Sequence, residues 1–293
     1  MTNRALLSTR VMRRPRNARL ALLLLVFGLL TACKTSQDAV NAATQLSNAS
    51  QQLTAYYTDL SKQVADYTTL NEMHSELMFQ KPLDAGVRAE SDKTEQELSK
   101  RLALAQALGK LASAYSSLAT SKSGSDVSTA ASALASECKA VPMAPLPGGS
   151  AIPDVVGQAA QQLVEYLRAK KLRQSSKAIS DIVAGVQQIF AAEISAYESI
   201  NRRRIEMAQR VARELIKKDV VEINPDLSLA LKPFELTQKP VSGPPPEFRS
   251  LEDVEIQRGG ERQTSEFAAN TEALSQALKA ASEQVKLVTK RSW

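Results

Sequence analysis

The chain has 293 residues, with 37 Lys and Arg against 31 Asp and Glu (formal net charge +6), 43% hydrophobic residues and 4% aromatics. One histidine and two cysteines exclude two-histidine metal sites and a multi-disulfide scaffold. The length permits one elongated domain or two, and a composition rich in Ala, Leu, Ser, Gln, Lys and Glu favours helix over sheet.

Residues 1–32 divide into three parts. Arg4, Arg10, Arg13, Arg14, Arg16 and Arg19 form a basic region without an acid, Leu20–Leu30 is apolar apart from Gly28, and Thr31-Ala32 is a small pair. This is the layout of a secretory signal peptide. The alternative is an uncleaved transmembrane anchor, but the apolar run makes only about 16 Å of helix where a span needs roughly 20 residues. Arg13-Arg14 lacks the apolar pair that usually follows in a twin-arginine signal, which favours ordinary secretion. A start at Met12 would give the basic region a more typical length.

Leu30-Thr31-Ala32-Cys33 resembles the lipobox of bacterial lipoproteins, placed directly after the apolar run. The resemblance implies that the Cys33 thiol receives a diacylglycerol and that cleavage exposes its amine for acylation. One acyl chain anchors only marginally, whereas two or three hold a protein on a membrane. An ordinary signal peptide with a nearby cysteine is the alternative. By the rule that an aspartate in the next position retains enteric lipoproteins in the inner membrane, Lys34 favours the outer membrane, facing the periplasm. The leader holds six of the arginines and no acid, so residues 33–293 carry 31 basic and 31 acidic groups. A charge-balanced mature chain removes the compositional argument for nucleic-acid binding. Lipidation of Cys33 also leaves Cys138 without an intramolecular disulfide partner, as a small packed residue, a free thiol or an intermolecular bridge.

Apolar positions then recur at helical spacing. From about Ser36 to Phe79, one heptad row runs through Leu46, Leu53, Leu60, Tyr67 and His74. A second has Tyr57, Val64, Asn71 and Met78, and a third has Ala49, Tyr56, Leu70 and Leu77. Three rows make a face too wide for a two-helix seam, which predicts a bundle. Lys81-Pro82 ends the helix, and a second is expected over Ala85–Thr120, joined as an antiparallel hairpin. Ser125 or Asp126 starts a short helix to about Glu137. Residues 139–153 read as a loop.

The next helical stretch spans about 154–221. Its polar centre, residues 168–177, leaves open a continuous rod of about 100 Å or, slightly preferred, a break near Ser175-Ser176 that makes two antiparallel helices. Residues 222–260 form an extended Pro-rich strap with polyproline character, in which 227–236 is apolar enough for a short strand against the bundle. Gly259-Gly260 reads as a turn, and a last helix covers about Glu261–Lys290. The expected fold is an all-α, elongated antiparallel bundle in a single domain over 33–293.

His74 lies in an apolar row and reads as structural, and no phosphate loop or dinucleotide fingerprint occurs. Glu193, Glu198, Glu206 and Glu214 share one helix without the Glu-x-x-His pair of a di-iron bundle. No catalytic residue, cofactor site or metal site is assigned from the sequence. Arg202, Arg203, Arg204, Arg210 and Arg213, with Lys217 and Lys218, form a basic run that reads mainly as a solvated helix end. It is the candidate partner surface, for anionic headgroups or an acidic protein, and the proline strap at 240–246 is a second candidate. The sequence thus points to a non-enzymatic envelope lipoprotein acting as scaffold or adaptor, with an envelope protein as partner and the membrane reached through Cys33. A membrane-active bundle and a small-ligand carrier are the alternatives.

Overall fold

The computed structural model describes the backbone of residues 17–121, 124–140, 146, 155–168, 172–218, 221–222, 237–238 and 249–291, and most side chains of those ranges from residue 37 onward. The described residues form six helices: α1 (Asn17–Phe79), α2 (Ala85–Ser121), α3 (Gly124–Ala140), α4 (Val155–Arg168), α5 (Leu172–Lys217) and α6 (Arg249–Arg291). One antiparallel pair of two-residue strands, β1 (Val221–Glu222) and β2 (Thr237–Gln238), joins Val221 to Gln238 and Glu222 to Thr237. The protein is an all-α, elongated bundle.

The helix ends follow local chemistry. α1 has 63 residues, about 95 Å of helix. It ends where Gln80 takes a left-handed φ of 52° and donates its N–H to Glu76 O at 3.1 Å, with Pro82 blocking continuation. Asp84 then caps α2 by accepting the Gly86 N–H at 2.8 Å, satisfying one of the orphan donors of the first turn. α1 and α2 are thereby an antiparallel hairpin.

Side-chain bonds fix the remaining directions. The Tyr197 hydroxyl meets Tyr57, and about twenty residues further along both chain segments Lys218, just past the end of α5, reaches Leu77 O through Nζ at 2.7 Å, so α5 runs parallel to α1. Tyr56 meets Thr271 at 2.9 Å and Arg213 meets Asp253 at 2.9 Å, so α6 runs antiparallel to both. The short α3 and α4 pack between α2 and α5 at the end nearer Cys33.

The core is a long stripe rather than a ball. Leu46, Leu53 and Leu60 of α1 are fully buried against Leu98, Leu108, Leu111, Ile179, Ile182, Phe190, Leu278 and Val285. A smaller cluster at the far end joins Leu70, Ile205, Val211, Leu215 and Ile256. Alanine supplies much of the interior, including Ala42, Ala43, Ala49, Ala112, Ala160 and Ala281, so the helices approach closely around few large side chains. Leu146, within the expected loop at 139–153, is buried in the main cluster.

Three expectations shift. The stretch at 154–221 holds two helices, but α4 ends at Arg168 and α5 already begins at Leu172, so Ser175 and Ser176 are buried within α5 rather than at a break. Their hydroxyls are small enough to pack, and Ser176 hydrogen-bonds Tyr115. The last helix begins at Arg249 rather than near Glu261, so residues 249–260 are helical and not part of an extended strap. Gly259 and Gly260 are consequently helical and buried, not a turn. A Cβ on Gly260 would stand 2.3 Å from Gln209 Nε2 and 3.2 Å from Ile205 Cγ2, so the glycine leaves room for these α5 side chains at the α5–α6 contact. The expected strand at 227–236 and the prolines at 240–246 lie outside the described residues.

The α1–α2 contact offers a direct test. A Cβ on Gly109 would lie 2.6 Å from Ser50 Oγ, and that hydroxyl is buried and donates to Ala105 O at 2.7 Å. Turning it aside would strand it without water. Gly109→Ala is expected to cost about 1–3 kcal/mol through overpacking. In a Ser50→Ala background the same change is expected to gain about 0.5–1 kcal/mol, the ordinary helical advantage of Ala over Gly. Denaturant unfolding of the four proteins measures this sign reversal.

Candidate functional site

The most concentrated chemistry lies in the waist of the bundle. Arg101 of α2 and Glu193 of α5 both have side chains with 0% exposure. Arg101 Nε donates to Glu193 Oε2 at 2.7 Å, and Nη2 donates to Oε1, giving the parallel fork that suits guanidinium and carboxylate. Nη1 donates to the Glu97 carbonyl at 2.7 Å and to Glu97 Oε2 at 3.3 Å. Glu97 is also bridged by Lys100.

A layer of rings closes over this pair. The Tyr197 hydroxyl lies 2.6 Å from Glu193 Oε2, to which it donates, and 3.3 Å from the Tyr57 hydroxyl. Tyr56 packs edge-on against Phe190 and Tyr197, with centroids 5.5 and 5.6 Å apart, and Phe267 of α6 lies 5.7 Å away. Such pairs add roughly 0.5–1.5 kcal/mol beyond the area they bury. Four long helices thus meet at one polar and aromatic node.

The environment sets the charge states. Burial alone would lower the Arg101 pKa, but hydrogen bonding and attraction to Glu193 more than offset it and hold the guanidinium ionised. Burial raises Tyr56, Tyr57 and Tyr197 above the ordinary phenol range, with the neighbouring carboxylate Glu193 adding to the rise at Tyr57 and Tyr197. Burial pushes Glu97 up, but the Lys100 and Arg101 contacts more than offset it and carry it below the usual carboxylate range. A carboxylate already gripped by a guanidinium and a phenol in a dry interior is a structural element. It is poorly placed to take a proton from a substrate.

The four carboxylates expected on one helix all lie on α5 but face different surroundings. Glu193 faces inward, whereas Glu198 is exposed, Glu206 is exposed 4.0 Å from Arg202, and Glu214 is bridged by Lys217 at 3.0 Å. Among the described residues, no group of three or more His, Cys, Asp or Glu is placed to hold a metal. His74 is half-buried with the Phe79 ring 6.1 Å away, and burial and Arg210 lower its pKa.

The basic run of α5 is divided among several tasks. Arg204 is buried, donates to Gln263 of α6, and has its Nε without a partner. Arg203 bridges to Glu90 of α2 at 2.9 Å, and Arg213 to Asp253 of α6 at 2.9 Å. Arg202 and Arg210 are exposed. Two of the five arginines therefore tie α5 to its neighbours across the surface, and a third does so from within. The Cys33 side chain lies outside the described residues, although its backbone belongs to α1.

Two depressions lie among the described residues. A cleft of about 60 Å³ between α1, α2 and α5 is walled by Val64, Tyr67, Val87 and Ile200, with the Glu90–Arg203 pair at its lining. A wider groove of about 400 Å³ runs between α1 and α6, floored by Tyr56, Phe267 and Leu274.

The waist was legible only in part. Thr94, Arg101, Leu108 and Tyr115 are seven apart, as are Val186, Glu193, Ile200 and Met207. A charge inside each of two largely apolar rows is the signal that could have paired them. No family model, curated protein or solved structure matches the chain.

Arg101→Met should cost about 3–5 kcal/mol, because it leaves the Glu193 carboxylate buried and unpaired. Arg101→Met with Glu193→Leu should recover most of that loss, and urea unfolding of the single and double variants checks it. The tyrosines predict an alkaline limit. Their folded pKa values lie above the unfolded value of about 10, so their contribution is complete below that pH and lost as pH rises beyond it. Stability measured at about pH 8 and pH 11 should fall, and Tyr57→Phe should lessen the fall.

Proposed function

We propose that the chain is an exported lipoprotein held on a membrane by acyl chains on Cys33. Its helical bundle serves as a non-enzymatic scaffold or adaptor for another envelope component. One observation carries this reading: Leu30-Thr31-Ala32-Cys33 stands at the end of an apolar run too short to span a bilayer. Among the described residues no helix is long and apolar enough to cross a membrane, so a covalent lipid is the economical anchor. Lys34 favours the outer membrane, facing the periplasm.

The bundle supports the scaffold role through its length. Phe79 stands 46 residues beyond Cys33 on α1, about 70 Å along one axis. At that far tip Met78 and Phe79 are 44% and 61% exposed, and Met and aromatic residues are enriched where proteins meet. The interior charges are spent on helix-to-helix bonds.

Cys33→Ser should abolish the acyl mass on the purified protein and release the chain from its membrane fraction. Unchanged mass and retention would end the lipoprotein reading. A photo-crosslinking residue at Phe79 should capture a discrete envelope protein in intact cells, and the same residue at exposed Gln276 should not.

A further inference from the structure

The register of the helices brings one end of each long element to the level of Cys33. α1 and α5 run parallel, so the first turns of α5 stand beside the Cys33 end of α1. α6 runs antiparallel, so its last turns stand there too, as does the end of α4 that leads into α5.

Charge is sorted along this end. On α1, Lys34 precedes Asp38; on α5, Arg173 and Lys177 precede Asp181; on α6, Lys286, Lys290 and Arg291 lie beyond Glu283; on α4, Arg168 lies beyond Glu165. In four helices of both directions the base is the outer residue and the acid the inner one. α3 is the exception, with Asp126 in its first turn. Helix dipoles favour bases at the C-termini of α4 and α6. They disfavour them at the start of α5, which has no acid in its first turn, so the dipole does not account for the pattern. Lys177, Lys286 and Lys290 are exposed.

We propose that this end of the bundle is a headgroup-binding face, resting on the anionic phospholipids of the membrane that holds Cys33. The proposal rests on the lipoprotein reading and gives it an orientation: acyl chains supply the tether, and the basic rim supplies a second, electrostatic contact. Juxtamembrane bases act only within a Debye length, about 10 Å at 0.1 M salt. The arginine run at 202–213 fails that condition. It sits level with residues 62–73 of α1, about 45–60 Å from Cys33 along the helices.

The single tryptophan, Trp293, follows the last residue of α6 by two positions and reports on this end. The membrane-extracted protein is reconstituted on phosphatidylcholine vesicles with and without phosphatidylglycerol, and Trp293 quenching by brominated lipid is measured. Phosphatidylglycerol should increase quenching, and salt of about 1 M, where the Debye length is about 3 Å, should reverse the increase. Lys177→Glu/Lys286→Glu/Lys290→Glu should remove it and lower the apparent affinity for anionic vesicles by roughly tenfold or more. Arg202→Glu/Arg210→Glu should leave both unchanged. Equal quenching on both lipids, or an unaffected triple variant, would overturn the headgroup face. Flotation of the same samples reads the tether separately: protein that floats without the quenching change is anchored but not seated, and protein that fails to float defeats the lipoprotein reading itself.

Discussion

The fold turns on one buried charge pair. Arg101 and Glu193 lie on helices that are distant in sequence, with neither side chain exposed. Desolvating two ions costs several kcal/mol each, and their attraction returns that energy only in a specific geometry. Here the fork between guanidinium and carboxylate supplies it, with Tyr197 and the Glu97 carbonyl taking further bonds. A one-residue slip of α5 past α2 would strand both charges in an apolar interior. The pair therefore contributes less to net stability than to excluding other registers, as a polar residue in a coiled-coil seam does.

That role matters because the rest of the core discriminates weakly. Alanine faces slide past one another with little change in packing, and many positions along α1, α2 and α6 would accept a neighbour one turn away. Specificity is concentrated at a few places: the waist, the Gly109–Ser50 contact, and the approach of Gly260 to Gln209 and Ile205. Surface bridges such as Arg203–Glu90 and Arg213–Asp253 are exposed and add little by themselves. They do agree with the same register. A rod held this way transmits position from one end to the other, as the proposed spacer or adaptor role requires.

Much of the architecture was readable from periodicity. The heptad rows through Leu46, Leu53 and Leu60 identified the buried face of α1, and Pro82 marked the hairpin correctly, because both depend on local chain geometry. What escaped reading was tertiary in origin. Gly259-Gly260 looks like a turn in sequence, yet it is a helical notch against α5, since only the neighbouring helix makes a missing side chain useful. Ser175 and Ser176 look like a break and are buried beside Tyr115. The arginines at 202–213 look like one basic patch. Their ion partners, Glu90 and Asp253, lie far away in the chain, so local sequence could not divide them. The rim of bases near Cys33 was invisible for the converse reason: its members come from four helices and meet only when the directions of all four are known.

Native-state hydrogen exchange tests the central claim most directly, because it reads local opening along the whole rod. If the Arg101–Glu193 pair locks the register, amides of α2 and α5 flanking those residues exchange only through global unfolding, with the highest protection in the molecule. Protection should decline toward Phe79, where the core thins. Fast exchange at the waist, with opening energies no greater than at the tip, would show that the charge pair is a passenger in a bundle held together elsewhere.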